Sequence, residues 1–327
     1  MQYRTLGDGD RALEVSTLCL GTMHLGTRTD ERTSFAILDR FLEAGGTFLD
    51  TANNYNAWGA GHGRDSEDLV GRWLADRGVR GHVRVATKLG AAKKDPALPL
   101  SNTPPTNFQG LGADVVAREA HESLRHLGVD RIDVLYGHVD DRETPLAETV
   151  GAFGKLQAEG VVGLSGISNV ALWRVVEARE EALRQGVPPY AVVQQQLTYA
   201  YPTPEVDRHS WASPELLDYA ASTGVPGRPS LAVVAYSPLL QGAYVRADKP
   251  LFGGYDHPTT HARVRVLHEV AAELGATPNQ VALAWLLGGA VPVVPVVGAG
   301  SVEQLDEILG AADLVLEPEV RARLDAV

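Results

Sequence analysis

The sequence has a single cysteine, Cys19. One thiol cannot close an intramolecular disulfide or build a cysteine-based zinc site. Its setting, the apolar stretch "STLCLG", reads as a buried core thiol. No apolar run approaches the length a membrane helix needs. The N-terminal "MQYRTLGDGDRALEV" shows no apolar signal region. Basic residues are few, 29 Lys and Arg against 41 Asp and Glu, and the formal net charge is −12. No basic cluster interrupts that balance, which argues against a nucleic-acid or anionic-membrane partner. There is no Ser- or Pro-rich linker and no low-complexity segment. These absences lead to the expectation of a cytoplasmic globular protein folded as one domain over residues 1–327.

What is present is alternation. Hydrophobic residues make up 44% of the 327 positions, enough for a sizeable core. Short apolar runs fall at 17–21, 47–50, 83–88, 132–137, 161–168, 191–196, 231–237 and 292–297. Most are rich in Val, Ile and Leu with little polar alternation, as strands buried on both faces should be. Helical patterns lie between them. "DERTSFAILDRFLEAGG" opens on an acidic N-cap candidate and closes on glycines. "ADVVAREAHESLRHLG" places Val115, Val116, Ala120, Leu124 and Leu127 at helical spacing before Gly128. Further helices are expected near 65–76, 145–159, 171–185, 213–223, 259–274, 278–288 and 301–311. Eight strands each followed by a helix is the count of a (β/α)8 TIM barrel; counting alone also admits a doubly wound sheet. "QYRTLGDGDRALEV" reads as an N-terminal β-hairpin that caps the bottom of the barrel.

Three connections, 89–112, 197–212 and 240–258, are too long to be purely structural. Each follows a strand C-terminus, where barrel active sites form. Polar residues gather at the same ends: Asp50 with Tyr55 just beyond it, Lys88, His138, Ser168 with Asn169, and Gln196. Taken singly, each has a plain structural reading, such as an Asp capping a turn. Taken together, four chemically matched groups at the ends of three consecutive strands point to chemistry. No His-x-His pair or His/carboxylate cluster marks a metal site, so none is expected.

The sequence resembles the aldo-keto reductase superfamily. The resemblance rests on "FLDTANNY" (Asp50, Tyr55), "VATK" (Lys88), "IDVLYGH" (His138), "GISN" (Ser168, Asn169), "QLTY" (196–199), "VAYSPLLQG" (234–242) and "VVGAGSVEQL" (296–305). It spans nearly the whole chain and implies a barrel, a bound NADP(H) and carbonyl reduction by a tetrad of Asp50, Tyr55, Lys88 and His138. An ammonium at Lys88 would lower the pKa of the Tyr55 phenol, and Asp50 would hold that ammonium. His138 would orient the substrate carbonyl through a hydrogen bond.

The resemblance also implies that Ser168, Asn169 and Gln196 bond the nicotinamide carboxamide and that Tyr236 stacks on its ring. Ser237, Leu239, Gln241 and Gly242 would line the pyrophosphate. Gly298, Ser301 and Gln304, at the start of the last expected helix, would bind the adenosine end. Many family members carry a Lys or Arg there for the 2′-phosphate. This chain does not, so NAD(H) competes with NADP(H) as the expected cofactor. The expected partner is a small-molecule carbonyl compound, with Met23, His24 and Trp58 as substrate candidates and Tyr255 or His257 beside them. With little sequence after the last expected helix, an open pocket is expected. The competing readings are a cofactor-binding, redox-sensing regulatory subunit of the same fold and a metal-dependent lyase or isomerase.

Overall fold

The apolar runs become strands and the segments between them helices in a computed structural model of the chain, which describes residues 1–57, 63–95, 97–98, 107–203 and 210–327. Two antiparallel strands come first, β1 (Tyr3–Leu6) and β2 (Leu13–Ser16), with Leu6 opposite Leu13. Gly7 turns the chain at φ +71, and a Cβ there would lie 2.8 Å from Leu164 Cδ2. Only glycine meets both conditions.

Eight parallel strands follow: β3 (Cys19–Gly21), β4 (Phe48–Asp50), β5 (Arg84–Leu89), β6 (Ile132–Gly137), β7 (Val162–Ser168), β8 (Val192–Gln196), β9 (Ala232–Tyr236) and β10 (Val293–Val297). β10 pairs back onto β3 and closes the barrel. Leu6 and Val15 of the hairpin pack on Cys19, Phe48, Val134 and Leu164 inside it. The hairpin therefore plugs the barrel as expected. Burying each such side chain contributes about 1.5–3 kcal/mol.

Helices α1 (Glu31–Glu43), α2 (Asp65–Arg77), α3 (Ala113–Leu127), α4 (Leu146–Ala158), α5 (Leu172–Gln185) and α6 (Pro214–Ala221) connect consecutive strands from β3 to β9. Two helices, α7 (Pro258–Leu274) and α8 (Pro278–Leu287), lie between β9 and β10, and α9 (Val302–Leu309) and α10 (Pro318–Asp325) follow. The expected caps form. Asp30 accepts from the Thr33 N–H at 3.0 Å to start α1, and Gly128 ends α3 at φ +63. Ile37, Leu38 and Phe41 of α1 are buried at the 3–4 spacing that one helix face requires.

Strand bounds fall within two residues of the apolar runs. The largest shift is at β3, because residues 16–18 bond elsewhere: Thr17 N–H to Gln2 O, and Ser16 Oγ to Leu18 O. α10 was not legible in the pattern, since only Leu324 of its eight residues is buried. Among the described residues no helix is long and apolar enough to cross a membrane.

Parallel register brings the strand C-termini to one end. Asp50 pairs with Gly21 on one side and Ala86 on the other. Lys88 lies two residues past Ala86 on β5 and so shares its inward face.

Candidate active site

Asp50 is 2% exposed and Lys88 fully buried. An ammonium in such a place must use its donors. Lys88 Nζ donates to Asp50 Oδ2 at 2.5 Å, to Tyr55 Oη at 2.7 Å and to Thr51 O at 2.8 Å. Three N–H groups meet three acceptors, so the charge is fully satisfied. Asp50 Oδ2 lies 3.4 Å from Tyr55 Oη, and its other oxygen accepts from Gln194 Nε2 at 2.8 Å. The predicted contact of one lysine with both Asp50 and Tyr55 is present.

Gln194, which bonds Asp50, is not marked out by the sequence as Gln196 is. The signal lay in the register: Gln194 pairs with Ser168 across β7 and β8. Alternation sorts the three glutamines. Gln194 faces the lumen. Gln195 turns outward, accepting from Asn169 N–H at 2.7 Å and donating to Val170 O at 2.6 Å. Gln196 ends the strand, half-buried.

The loop after β4 carries Tyr55, and its polar residues are anchors. Thr51 Oγ1 donates to Ser66 Oγ at 2.8 Å. Asn53 N–H donates to Lys88 O at 3.0 Å, and Asn53 Nδ2 to Glu119 Oε2 at 3.0 Å. Asn54 Nδ2 donates to Ala91 O at 3.1 Å. Asn56 takes φ +70, a conformation Asn tolerates.

Burial first, then the Asp50 carboxylate, raises the Tyr55 phenol well above its ordinary value. This reverses the expected direction. Asp50 lies against both Lys88 and Tyr55 and offsets the ammonium, while burial disfavours a phenolate. The consequence is a phenol that stays protonated.

His138 follows β6. Its N–H donates to Leu89 O at 2.8 Å and its carbonyl accepts from Asn169 Nδ2 at 3.0 Å. The ring stands edge-on to Tyr55 with centroids 6.0 Å apart. Burial, then Lys88, lowers its pKa from 6.5 to about 3. A neutral imidazole can donate one hydrogen bond without adding charge. Since the unfolded histidine protonates near 6.5, it binds more protons than the folded one between there and about 3. Stability should therefore rise with pH across that window and lose this dependence above it. In His138→Gln, denaturant midpoints measured from acid to neutral pH should show a shallower slope; an unchanged slope would contradict the assignment.

Asn169, at φ +59, joins the cofactor candidates. Its Oδ1 accepts from Tyr236 Oη at 2.8 Å while its Nδ2 holds the His138 carbonyl. One N–H and one lone pair remain for a ligand. Ser168 is buried on the inward face beside Gln194. Past Tyr236, residues Ser237, Leu240, Gln241 and Gly242 all take positive φ, with half-buried Leu239 between them. Ser301 caps α9 by accepting from Gln304 N–H at 3.3 Å, and Gln304 Oε1 accepts from Gly300 N–H at 2.8 Å. A Cβ on Gly298 would meet nothing within 4 Å.

Of the substrate candidates, Met23 is 37% exposed after β3. His24 has a buried, unpartnered Nδ1, and burial followed by Arg28 lowers its pKa. Trp58 lies outside the described residues. Tyr255 packs with Tyr244 and Leu240, and His257 Nε2 bonds Tyr201 O at 2.8 Å. Both thus have structural duties, unlike the expected substrate contact. Among the described residues no group of three or more His, Cys, Asp or Glu could hold a metal ion.

Comparison with known proteins places the chain in one family. The model of the Aldo/keto reductase family matches residues 17–327. An uncharacterized oxidoreductase of Bacillus subtilis is 33% identical, covering 100% of this chain and 96% of its own. Norsolorinic acid reductase of Emericella nidulans is 33% identical over 94% of this chain and 76% of its own. The NADP(+) aryl-alcohol dehydrogenase of Phanerodontia chrysosporium is 29% identical over 97% and 83%. A solved thermostable aldo-keto reductase in complex with the inhibitor epalrestat superposes at a TM-score of 0.75, with 27% identity over 100% of this chain and 99% of that one. The chain belongs to the aldo/keto reductase family of oxidoreductases.

Proposed function

We propose that the protein is a nicotinamide-dependent carbonyl reductase that converts an aldehyde, ketone or keto-sugar to the alcohol. The observation that carries this reading is the Lys88 ammonium touching both Asp50 and Tyr55. Tyr55 is the proton donor. Its oxygen accepts from Lys88 at 2.7 Å, and its own proton, which lies toward Asp50 Oδ2 at 3.4 Å, would turn to the oxygen of a bound substrate. As that proton leaves, the Lys88 N–H already in place stabilises the phenolate without reorganisation. Asp50, gripped by Gln194, keeps the ammonium aimed. His138 holds the carbonyl oxygen from the side as a neutral donor.

The residues fit a dinucleotide. Open space lies beside Gly298 at the start of α9, and Tyr236 is tethered by Asn169 close to His138. When bound, the reduced nicotinamide supplies the hydride. Ser168, Asn169 and Gln196 would hold its carboxamide, Tyr236 its ring, Ser237, Leu239, Gln241 and Gly242 the pyrophosphate, and Gly298, Ser301 and Gln304 the adenosine end. A relative named as an NADP(+) aryl-alcohol dehydrogenase supports an aryl carbonyl compound as the substrate class.

NADPH should be preferred, as a relative's name suggests. A hydrogen bond from a cation contributes about 1.5–3 kcal/mol. Without one, neutral hydrogen bonds of about 0.5–1.5 kcal/mol remain, and the NADPH:NADH ratio of kcat/KM should not exceed about ten. A ratio above about a thousand would mean that a cation reaches the 2′-phosphate. The function itself is tested with purified protein, NADPH and a panel of aryl aldehydes, ketones and keto-sugars. Consumption of reduced nicotinamide matched by alcohol formed is expected; no consumption with any member contradicts the reading.

A further inference from the structure

Behind the site lies a charged cluster that the tetrad does not use. Arg64 stands just before α2 with its side chain 17% exposed, between Glu67 at 0% and Glu119 at 8%. Its two terminal nitrogens divide the work: Nη1 to Glu67 Oε2 at 2.7 Å, and Nη2 to Glu119 Oε2 at 2.5 Å. Nη1 also reaches Ser123 Oγ at 3.1 Å. Arg118, largely exposed, supplies a second positive charge to Glu119 at 3.1 Å. The cluster is thus neutral, two cations with two carboxylates.

Both carboxylates take further bonds; Glu119 Oε1 accepts one from Gln109 Nε2 at 3.4 Å. Glu67 Oε1 accepts from Thr87 Oγ1 at 2.6 Å, and Glu119 Oε2 from Asn53 Nδ2 at 3.0 Å. Thr87 is the residue before Lys88. Asn53 is two before Tyr55. One guanidinium thereby ties the strand that carries the lysine to the loop that carries the tyrosine. The two groups so tied meet at 2.7 Å. A rigid planar fork can span two carboxylates that a single ammonium on a flexible stem cannot hold in the same way.

We propose that Arg64, through Glu67 and Glu119, is a positioning device that sets the Tyr55–Lys88 contact from outside the barrel. The proposal rests on the carbonyl-reductase reading for its kinetic consequence, though not for its geometry. The links can be cut one at a time while the ion pairs stay. Asn53→Ala removes the loop's side-chain link to Glu119 and Thr87→Val removes the strand's link to Glu67, while the backbone bonds of both stay. Each should lower the single-turnover rate of nicotinamide oxidation at least about tenfold, with cofactor Kd changed less than about twofold. The double variant should fall no further than the worse single, because both links serve one alignment. Arg64→Lys, which keeps the charge, should show the same loss.

A second readout needs no turnover. With tyrosine labelled by 13C at Cζ, the Tyr55 resonance, assigned by its loss in Tyr55→Phe, should shift in Asn53→Ala and in Thr87→Val. Singles at wild-type rate with an unmoved resonance overturn the proposal, and so does a double variant whose losses multiply. If the wild type reduces no carbonyl, the functional reading fails, and the resonance alone decides the positioning claim.

Discussion

Replacing Tyr55 by phenylalanine should lower kcat by roughly 100- to 10,000-fold, the range general acid catalysis supplies. The change removes one oxygen. Lys88 Nζ keeps Asp50 Oδ2 and Thr51 O as acceptors, so the ion pair and the fold survive. Cofactor affinity should be unchanged, because the hydroxyl acts on the substrate oxygen. A loss in kcat without a rise in KM is the signature of an interaction made only in the transition state. Kinetics at saturating cofactor check this, with thermal unfolding as the control.

Lys88→Met should have the second largest effect, on activity and stability together. The variant loses the donor that stabilises the Tyr55 phenolate. It also strands Asp50, 2% exposed, with Gln194 and Tyr55 as the side chains left to bond its carboxylate among the described residues. Breaking a buried ion pair by removing one partner costs about 3–5 kcal/mol. Adding Asp50→Leu should recover most of that stability, since a buried pair replaced by apolar residues is often neutral. It should recover no activity. Denaturant midpoints and kcat for Lys88→Met and the double variant separate the two effects. Activity returning with stability would mean that Lys88 serves the fold alone.

The barrel was legible because its signals are local. β6 runs from Ile132 to Gly137, as its apolar run does, since a strand buried on both faces has no need of polar alternation. Helix ends at Asp30 and Gly128 are set by capping chemistry within four residues. Asp50, Tyr55, Lys88 and His138 stood out because each is a costly residue at the end of a strand or just past it. What escaped the sequence depends on distant partners. Gln194 looked like one of three glutamines until register set it beside Asp50, 144 positions away. Asn53 suited a turn, but its partner Glu119 is 66 positions on. The Tyr55 phenol was expected to be lowered by Lys88. Burial and the shared Asp50 carboxylate act the other way, and neither is a property of spacing.

The central claim is that the Lys88-bound Tyr55 phenol gives the proton. It is tested most directly by the single-turnover rate of nicotinamide oxidation, followed from neutral to strongly alkaline pH in the wild type and in Tyr55→Phe. The wild-type rate should hold level and fall only above the ordinary phenol range, because burial and Asp50 keep Tyr55 protonated until then. In Tyr55→Phe the rate should be low and the alkaline fall gone. A variant that keeps the wild-type rate, or the same alkaline fall, would contradict the account.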